Sequence, residues 1–289
     1  MKDISSKGAE QFYFRKRVIR IYALSAAILL SVLLSVAYAS GFDTERQVFS
    51  QGSPMGNVAF FGALILTGAA LILPFALIPR AKPEESVFPE ENRFSHYYEL
   101  DNGFMRVLRI CVALLIAIQC VIRAVAAFSG REPLSLPLFA AVVMTASGFF
   151  LSLWLVPEVM ERLFPGADGK AHLACGCVGL IYPCFSIIER YFDRSISLAS
   201  KHLMLTQCCM IVIMLAVVYD IRYRTDGARV RARLASASAC CVLCTGYGIG
   251  QLVMLVSVGR IGFADTAVSV TVLALGIVFG ARIFFYDEE

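Results

Sequence analysis

The ten cysteines are the first side chains to weigh, because thiolates bind soft metals and exchange electrons. Cys241 and Cys244 make a C-x-x-C pair, and Cys175, Cys177 and Cys184 lie close together upstream. A metal centre would need about four thiolate or imidazole ligands converging on one point. The histidines are His96, His172 and His202, and none falls in the middle of an apolar stretch. Cys111, Cys120, Cys175, Cys177, Cys184, Cys208, Cys209, Cys240, Cys241 and Cys244 all do fall inside such stretches. There a free thiol serves as a small buried hydrophobe, and no loop carries a cysteine for a structural disulfide. The expectation is packing, with no metal and no other cofactor. Hydrolytic chemistry is as poorly supplied. Neither H-E-x-x-H nor G-x-S-x-G occurs, so no enzymatic activity is expected.

Polar groups within apolar stretches carry more information, because burying them in hydrocarbon is costly. Gln119, Arg123, Gln207 and Gln251 are the clearest cases, and Asp193 and Asp220 stand at the ends of such stretches. Arg123 is close enough to a segment end to snorkel to the headgroups; pairing inside a polar cavity is the alternative. Each glutamine suits a hydrogen bond between helices. A substrate path would want several of these groups facing one another.

The elements that position these residues are set by composition. Of 289 residues 58% are hydrophobic and 17% charged, against about 45–50% and about 25% in a soluble domain. The excess comes in continuous blocks of roughly 18–24 residues, which suit helices crossing a bilayer and not the alternating strands of a barrel. The fold class is therefore an all-α, polytopic transmembrane bundle of about eight spans in a single membrane domain. The predicted spans are 18–41, 57–79, 104–128, 135–156, 172–189, 202–221, 236–258 and 265–286. Span one has the look of a signal peptide, with a basic start and an Ala37-Tyr38-Ala39 cleavage pattern, yet its apolar run is long for one. It is expected to be retained. Pro74 should kink span two near its end, and span five is the weakest, short and interrupted by Pro183. Residues 80–103, 157–171 and 222–233 are expected as polar loops. No soluble stretch is long enough to fold alone, which excludes a nucleic-acid-binding domain.

Orientation follows from where Lys and Arg collect, since cytoplasmic loops carry the excess. With both termini inside, sixteen basic residues fall on the inner side and six on the outer. The segment 190–201, with Arg190, Arg194 and Lys201, runs against this bias. If 172–189 were re-entrant, that loop would turn inward and the arginines of 222–233 would turn outward, which the same rule opposes more strongly. Eight full spans, N-in and C-in, is the expectation. The inner arginines Arg222, Arg224, Arg229, Arg231 and Arg233 are then placed to meet anionic lipid headgroups.

Small residues mark packing faces. Thr245-Gly246-Tyr247-Gly248 is similar to the T-V-G-Y-G filter of potassium channels, but lacks the valine and lies in a full-length apolar span. Gly246 with Gly250, and Gly276 with Gly280, instead give the G-x-x-x-G spacing that lets helices approach closely. Spans seven and eight should form a tight hairpin. The pairs Glu84-Glu85 and Glu90-Glu91 resemble those of intramembrane CAAX-type proteases, without that family's histidines; a solvated loop is the expectation.

From Glu189 to Tyr223 a longer pattern is present. Tyr191-Phe192-Asp193 precedes an apolar helix containing Gln207, which closes on Tyr219-Asp220-Ile221-Arg222-Tyr223. This pattern resembles a family of uncharacterised bacterial multi-pass membrane proteins, in which Glu often stands where this chain has Asp220. The resemblance implies a bacterial cytoplasmic membrane and no activity. Two roles stay open. One is a non-catalytic component (accessory, assembly or sensor) docking a membrane or cytosolic partner through 80–103 and 222–233. The other is a small-molecule or ion transporter, which the scarcity of mid-membrane charge disfavours.

Overall fold

The computed structural model describes residues 2–43, 48–49, 53–79, 103–129, 136–163, 170–192, 200–226, 230–258 and 263–285. Along the chain run α1 (Lys2–Gly41), β1 (Phe42–Asp43), β2 (Val48–Phe49), α2 (Pro54–Leu77), α3 (Gly103–Ser129), α4 (Leu136–Leu155) and α5 (Pro157–Leu163). They are followed by α6 (Lys170–Gly179), α7 (Ile181–Phe192), α8 (Lys201–Asp226), α9 (Val230–Val258) and α10 (Phe263–Phe285). The strands form a two-residue antiparallel pair, Phe42 opposite Phe49 and Asp43 opposite Val48, that closes the connection from α1 to α2.

The outside of this bundle is apolar. Ile65 is 70% exposed and Ile72 66%, with Val58, Val107, Leu114 and Ile118 also more than half exposed. Water would not tolerate so continuous an apolar surface; lipid does. Seven helical stretches are long and apolar enough to cross a bilayer, and α10 adds the apolar run Val268–Phe284. At 23 residues α10 is about 34 Å long at about 1.5 Å per residue, sufficient to cross. The chain is an integral, multi-pass helical membrane protein.

The centre is α9, whose membrane window is 67% buried against 28% for α2 at the periphery. It packs on α1, α10, α2 and α8, while α3, α4, α6 and α7 form a second group joined through α3–α10 and α7–α8. Small residues set these distances. A Cβ on Gly246 would stand 2.7 Å from Leu30 Cγ, and one on Gly250 would stand 2.9 Å from Leu34 Cβ, so this pair faces α1. Gly276 and Gly280 face α9, where a Cβ would meet Thr245 N at 2.8 Å and Cys241 Sγ at 2.7 Å. The α9–α10 hairpin is therefore tight through Gly276 and Gly280 of α10 and through Gly248 of α9, where a Cβ would stand 2.5 Å from Leu273 Cβ, while Gly246 and Gly250 seat α1.

Span five consists of α6 and α7, interrupted at Leu180. Pro183 lacks an N–H and its ring crowds the carbonyl four residues back, at Gly179. The path still continues, because Leu180 N donates to Gly176 O at 3.1 Å. At one end His172 bonds the carbonyl of Trp154 near the C-terminus of α4. At the other, Glu189 pairs with Arg123 near the C-terminus of α3. The weak segment thus runs from one end of the bundle to the other.

Several boundaries differ from expectation. The first helix begins at Lys2 rather than near 18, and α5 occupies part of the predicted 157–171 loop. In the predicted 222–233 loop, α8 continues to Asp226 and α9 starts at Val230. Arginine and alanine are good helix formers, and only Asp226-Gly227 offers a turn, so the polar run stays helical on both sides. Pro74 sits in the last turn of α2, which ends where Ile78 N bonds Pro74 O at 3.0 Å.

Candidate functional site: an ionic cluster at one end of the bundle

Helices α2, α4, α8 and α10 all finish at the same end, where their unsatisfied carbonyls concentrate partial negative charge. Basic side chains from other helices answer them. Arg231 Nη1 donates to Ile78 O at 3.4 Å beyond α2. Arg109 Nη1 donates to Leu155 O at 3.3 Å at the end of α4, and Arg20 Nε to Ile283 O at 2.8 Å near the end of α10. The α5 turn adds Glu158, whose Oε1 accepts from Arg109 Nη2 at 3.1 Å and lies 3.4 Å from Arg106 Nε.

In the middle of this end lies Asp220, 1% exposed. Its Oδ1 accepts from Arg233 Nε of α9 at 3.3 Å, and its Oδ2 from Arg282 Nη1 of α10 at 2.9 Å. Three helices are thereby joined through one carboxylate. Aromatic faces hold the guanidiniums in plane: Arg233 lies 4.1 Å over the Tyr223 ring, and Arg282 lies 5.3 Å from both Trp154 and Phe279. Beside the carboxylate is a small cavity of about 20 Å³, onto which Lys16, Arg20, Asp220, Arg233 and Arg282 open. Lys16 is itself buried, its ammonium 4.8 Å from the Phe12 ring.

The other expected polar residues are dispersed. Gln119 accepts from the Thr271 hydroxyl of α10. Arg123 pairs with Glu189 of α7. Gln251 Nε2 lies 3.4 Å from His202 Nδ1, which Tyr38 Oη also approaches at 3.0 Å. Gln207 is half-buried on α8. Arg222 is exposed and Arg231 half-buried beside Phe75, whereas Arg233 turns inward to Asp220, away from the headgroups expected for it. Arg224 lies on α8; Asp193, Arg229, Glu84, Glu85, Glu90 and Glu91 lie outside the described residues.

The cysteines are free thiols. Cys241 faces Gly280, while Cys244 Sγ is 3.8 Å from both Cys240 Sγ and the Cys209 carbonyl, so the C-x-x-C thiols address different neighbours. No group of three or more potential metal ligands converges among the described residues.

Sequence reasoning missed Arg282 as a partner of Asp220, Lys16 beside the same cavity, and the network around His202. At the far end from Asp220, that histidine stacks on Tyr247 at 5.9 Å and meets Phe42 edge-on at 5.2 Å, and the Tyr247 hydroxyl bonds Thr206 Oγ1 at 2.7 Å. The available signal for Arg282 was its depth, within the final turns of a predicted span. Comparison with family models, with curated proteins and with solved structures gives no match for this chain.

Proposed function

We propose that this protein is a non-catalytic component of a bacterial cytoplasmic membrane, in an accessory, assembly or sensor role, N-in and C-in. The observation that carries this is the dispersal of the polar groups within the spans. Gln119, Arg123 and Gln251 are each engaged with a different neighbour, Thr271, Glu189 and His202, in three separate helix contacts. A carrier would bring such groups onto a common path. The exposed Arg222 and the polar 80–103 segment offer the surface for a membrane or cytosolic partner, and the outward arginines meet anionic headgroups.

The test is a photo-reactive side chain placed at Arg222 in cells. A discrete cross-linked adduct is expected, lost when Arg222 and Arg231 are both changed to glutamine. Absence of any adduct, together with solute movement by the purified protein across vesicles, would favour transport instead. One observation speaks for that second role: Asp220 is a carboxylate buried within the bundle, and buried carboxylates serve ion-coupled carriers.

A further inference from the structure

A groove of about 300 Å³ runs along the seam between α3 and the last turns of α4, and α5 closes one end of it. Its floor includes Ala113 and Ser152, both 6% exposed. The Ser152 hydroxyl donates to Phe149 O at 2.7 Å, so the floor is apolar toward the groove. The walls stand outward. Ile110, Leu114 and Val159 are 37%, 57% and 41% exposed, which opens the groove on the lipid-facing surface of the bundle. At the closed end the chain turns out of α4, with Val156 N bonded to Leu153 O and Val159 N to Val156 O, both at 3.1 Å. Helix α5 thereby brings Glu158 and Arg162, one helical turn apart, beside Arg106 in the first turn of α3. Arg106 Nε lies 3.4 Å from Glu158 Oε1 with its side chain 56% exposed, and Arg162 is exposed. Charge is thus confined to one end of the groove, and the rest is hydrocarbon. From Arg106 to Ala117 is eleven residues, about 16 Å along α3. That is about half of a ~30 Å hydrocarbon core, the depth of one leaflet.

We infer that this groove is a binding site for one anionic phospholipid, with its phosphate on Arg106 and Arg162 and one acyl chain along Ile110, Leu114 and Ala117. Depth and width select the chain. A lipid whose headgroup lies at this end of the bundle reaches the apolar end of the groove with a single leaflet's length of hydrocarbon. A helix about 10 Å across and about 16 Å long would fill about 1,200 Å³, far more than the groove holds. Charge selects the headgroup. Among the described lining residues the rim sets two guanidiniums against one carboxylate, and Glu158 Oε1 also accepts from Arg109 Nη2 at 3.1 Å. Guanidinium forks match phosphate oxygens in pairs, and basic residues at the surface favour a lipid of net negative charge. The site lies on α3, α4 and α5, away from the arginines of 222–233, and stands without the role proposed above.

Native mass spectrometry of the full chain, released from neutral detergent, counts bound lipids one at a time. Titration with phosphatidylglycerol should show one saturable binding event per protomer, and phosphatidylcholine should bind about tenfold more weakly or worse. Two variants address the two ends separately. Arg106→Gln with Arg162→Gln removes the headgroup contacts, whereas Ala117→Phe fills the apolar end and leaves the rim intact. Each should weaken phosphatidylglycerol binding about tenfold or more. Phosphatidylglycerol that adds without saturating, or phosphatidylcholine that binds equally well, overturns the site on the wild type alone. So does undiminished binding in either variant, since loss with the arginine pair alone would mean a headgroup patch with no chain in the groove. A wild-type dimer that Ala117→Phe dissolves would overturn it too, because a second copy would then be the occupant.

Discussion

Asp220 and Glu189 are both carboxylates paired with arginine, and burial separates their energetic roles. Asp220 is 1% exposed and divides its oxygens between Arg233 and Arg282. Replacing it by leucine leaves two buried guanidiniums without their shared anion, a loss of about 3–5 kcal/mol. Thermal unfolding in detergent should show a large drop for Asp220→Leu. The Arg123–Glu189 pair has side chains 21% and 33% exposed, so Glu189→Gln should cost no more than about 1 kcal/mol. Gln119→Leu falls in the same low range, about 0.6 kcal/mol and under 2, because a hydrogen bond between membrane helices competes with other partners in the unfolded state. Equal shifts for Asp220→Leu and Glu189→Gln would contradict the assignment of the buried cluster as the stronger tie.

Among the elements, α9 is held by glycines on facing helices at contacts where a side chain has no room. Gly276→Val would drive a branched side chain against the Thr245 main chain, and about 1–3 kcal/mol of destabilisation is expected in the same unfolding measurement. Gly68, with open space around its α-carbon, is the control; Gly68→Val should do far less. Helix α1 is as central, burying Ala23, Ala27, Leu30, Leu34 and Tyr38 against the bundle. Intact-mass measurement of the purified protein should therefore find residues 1–39 still attached, since their removal would uncover Gly246 and Gly250. The spans themselves were legible in the sequence because apolarity and length are local properties. Their ends were less so, since Arg222, Arg224, Arg231 and Arg233 read as loop residues yet extend α8 and α9 as helix. The ionic cluster was legible only in part: Asp220 stood out at the end of a span, but its partners Arg233 and Arg282 did not. Asp220 and Arg233 face each other across one turn, but Lys16 and Arg282 are far from them along the chain and join them only through the way four helices are arranged.

For the molecule as a whole, the end that gathers the basic residues is also the end where four helices finish. Sorting by the positive-inside rule and neutralising helix C-termini thus ask for the same residues at the same face. The orientation is open to a direct check. A cysteine introduced at Gly227 should react with a membrane-impermeant maleimide only after the cytoplasmic face is opened, and labelling of intact cells would invert the topology. The bond from Arg20 to the Ile283 carbonyl spans 263 residues and has a consequence for synthesis. At roughly 5–20 residues per second the ribosome needs on the order of tens of seconds to deliver the second partner after the first. During that interval α2 and α9 pack on α1 first, and α10, the last helix to emerge, brings the Ile283 carbonyl to Arg20. The biogenesis of this bundle therefore includes a waiting period in which α1 is packed by its neighbours before Arg20 meets this carbonyl.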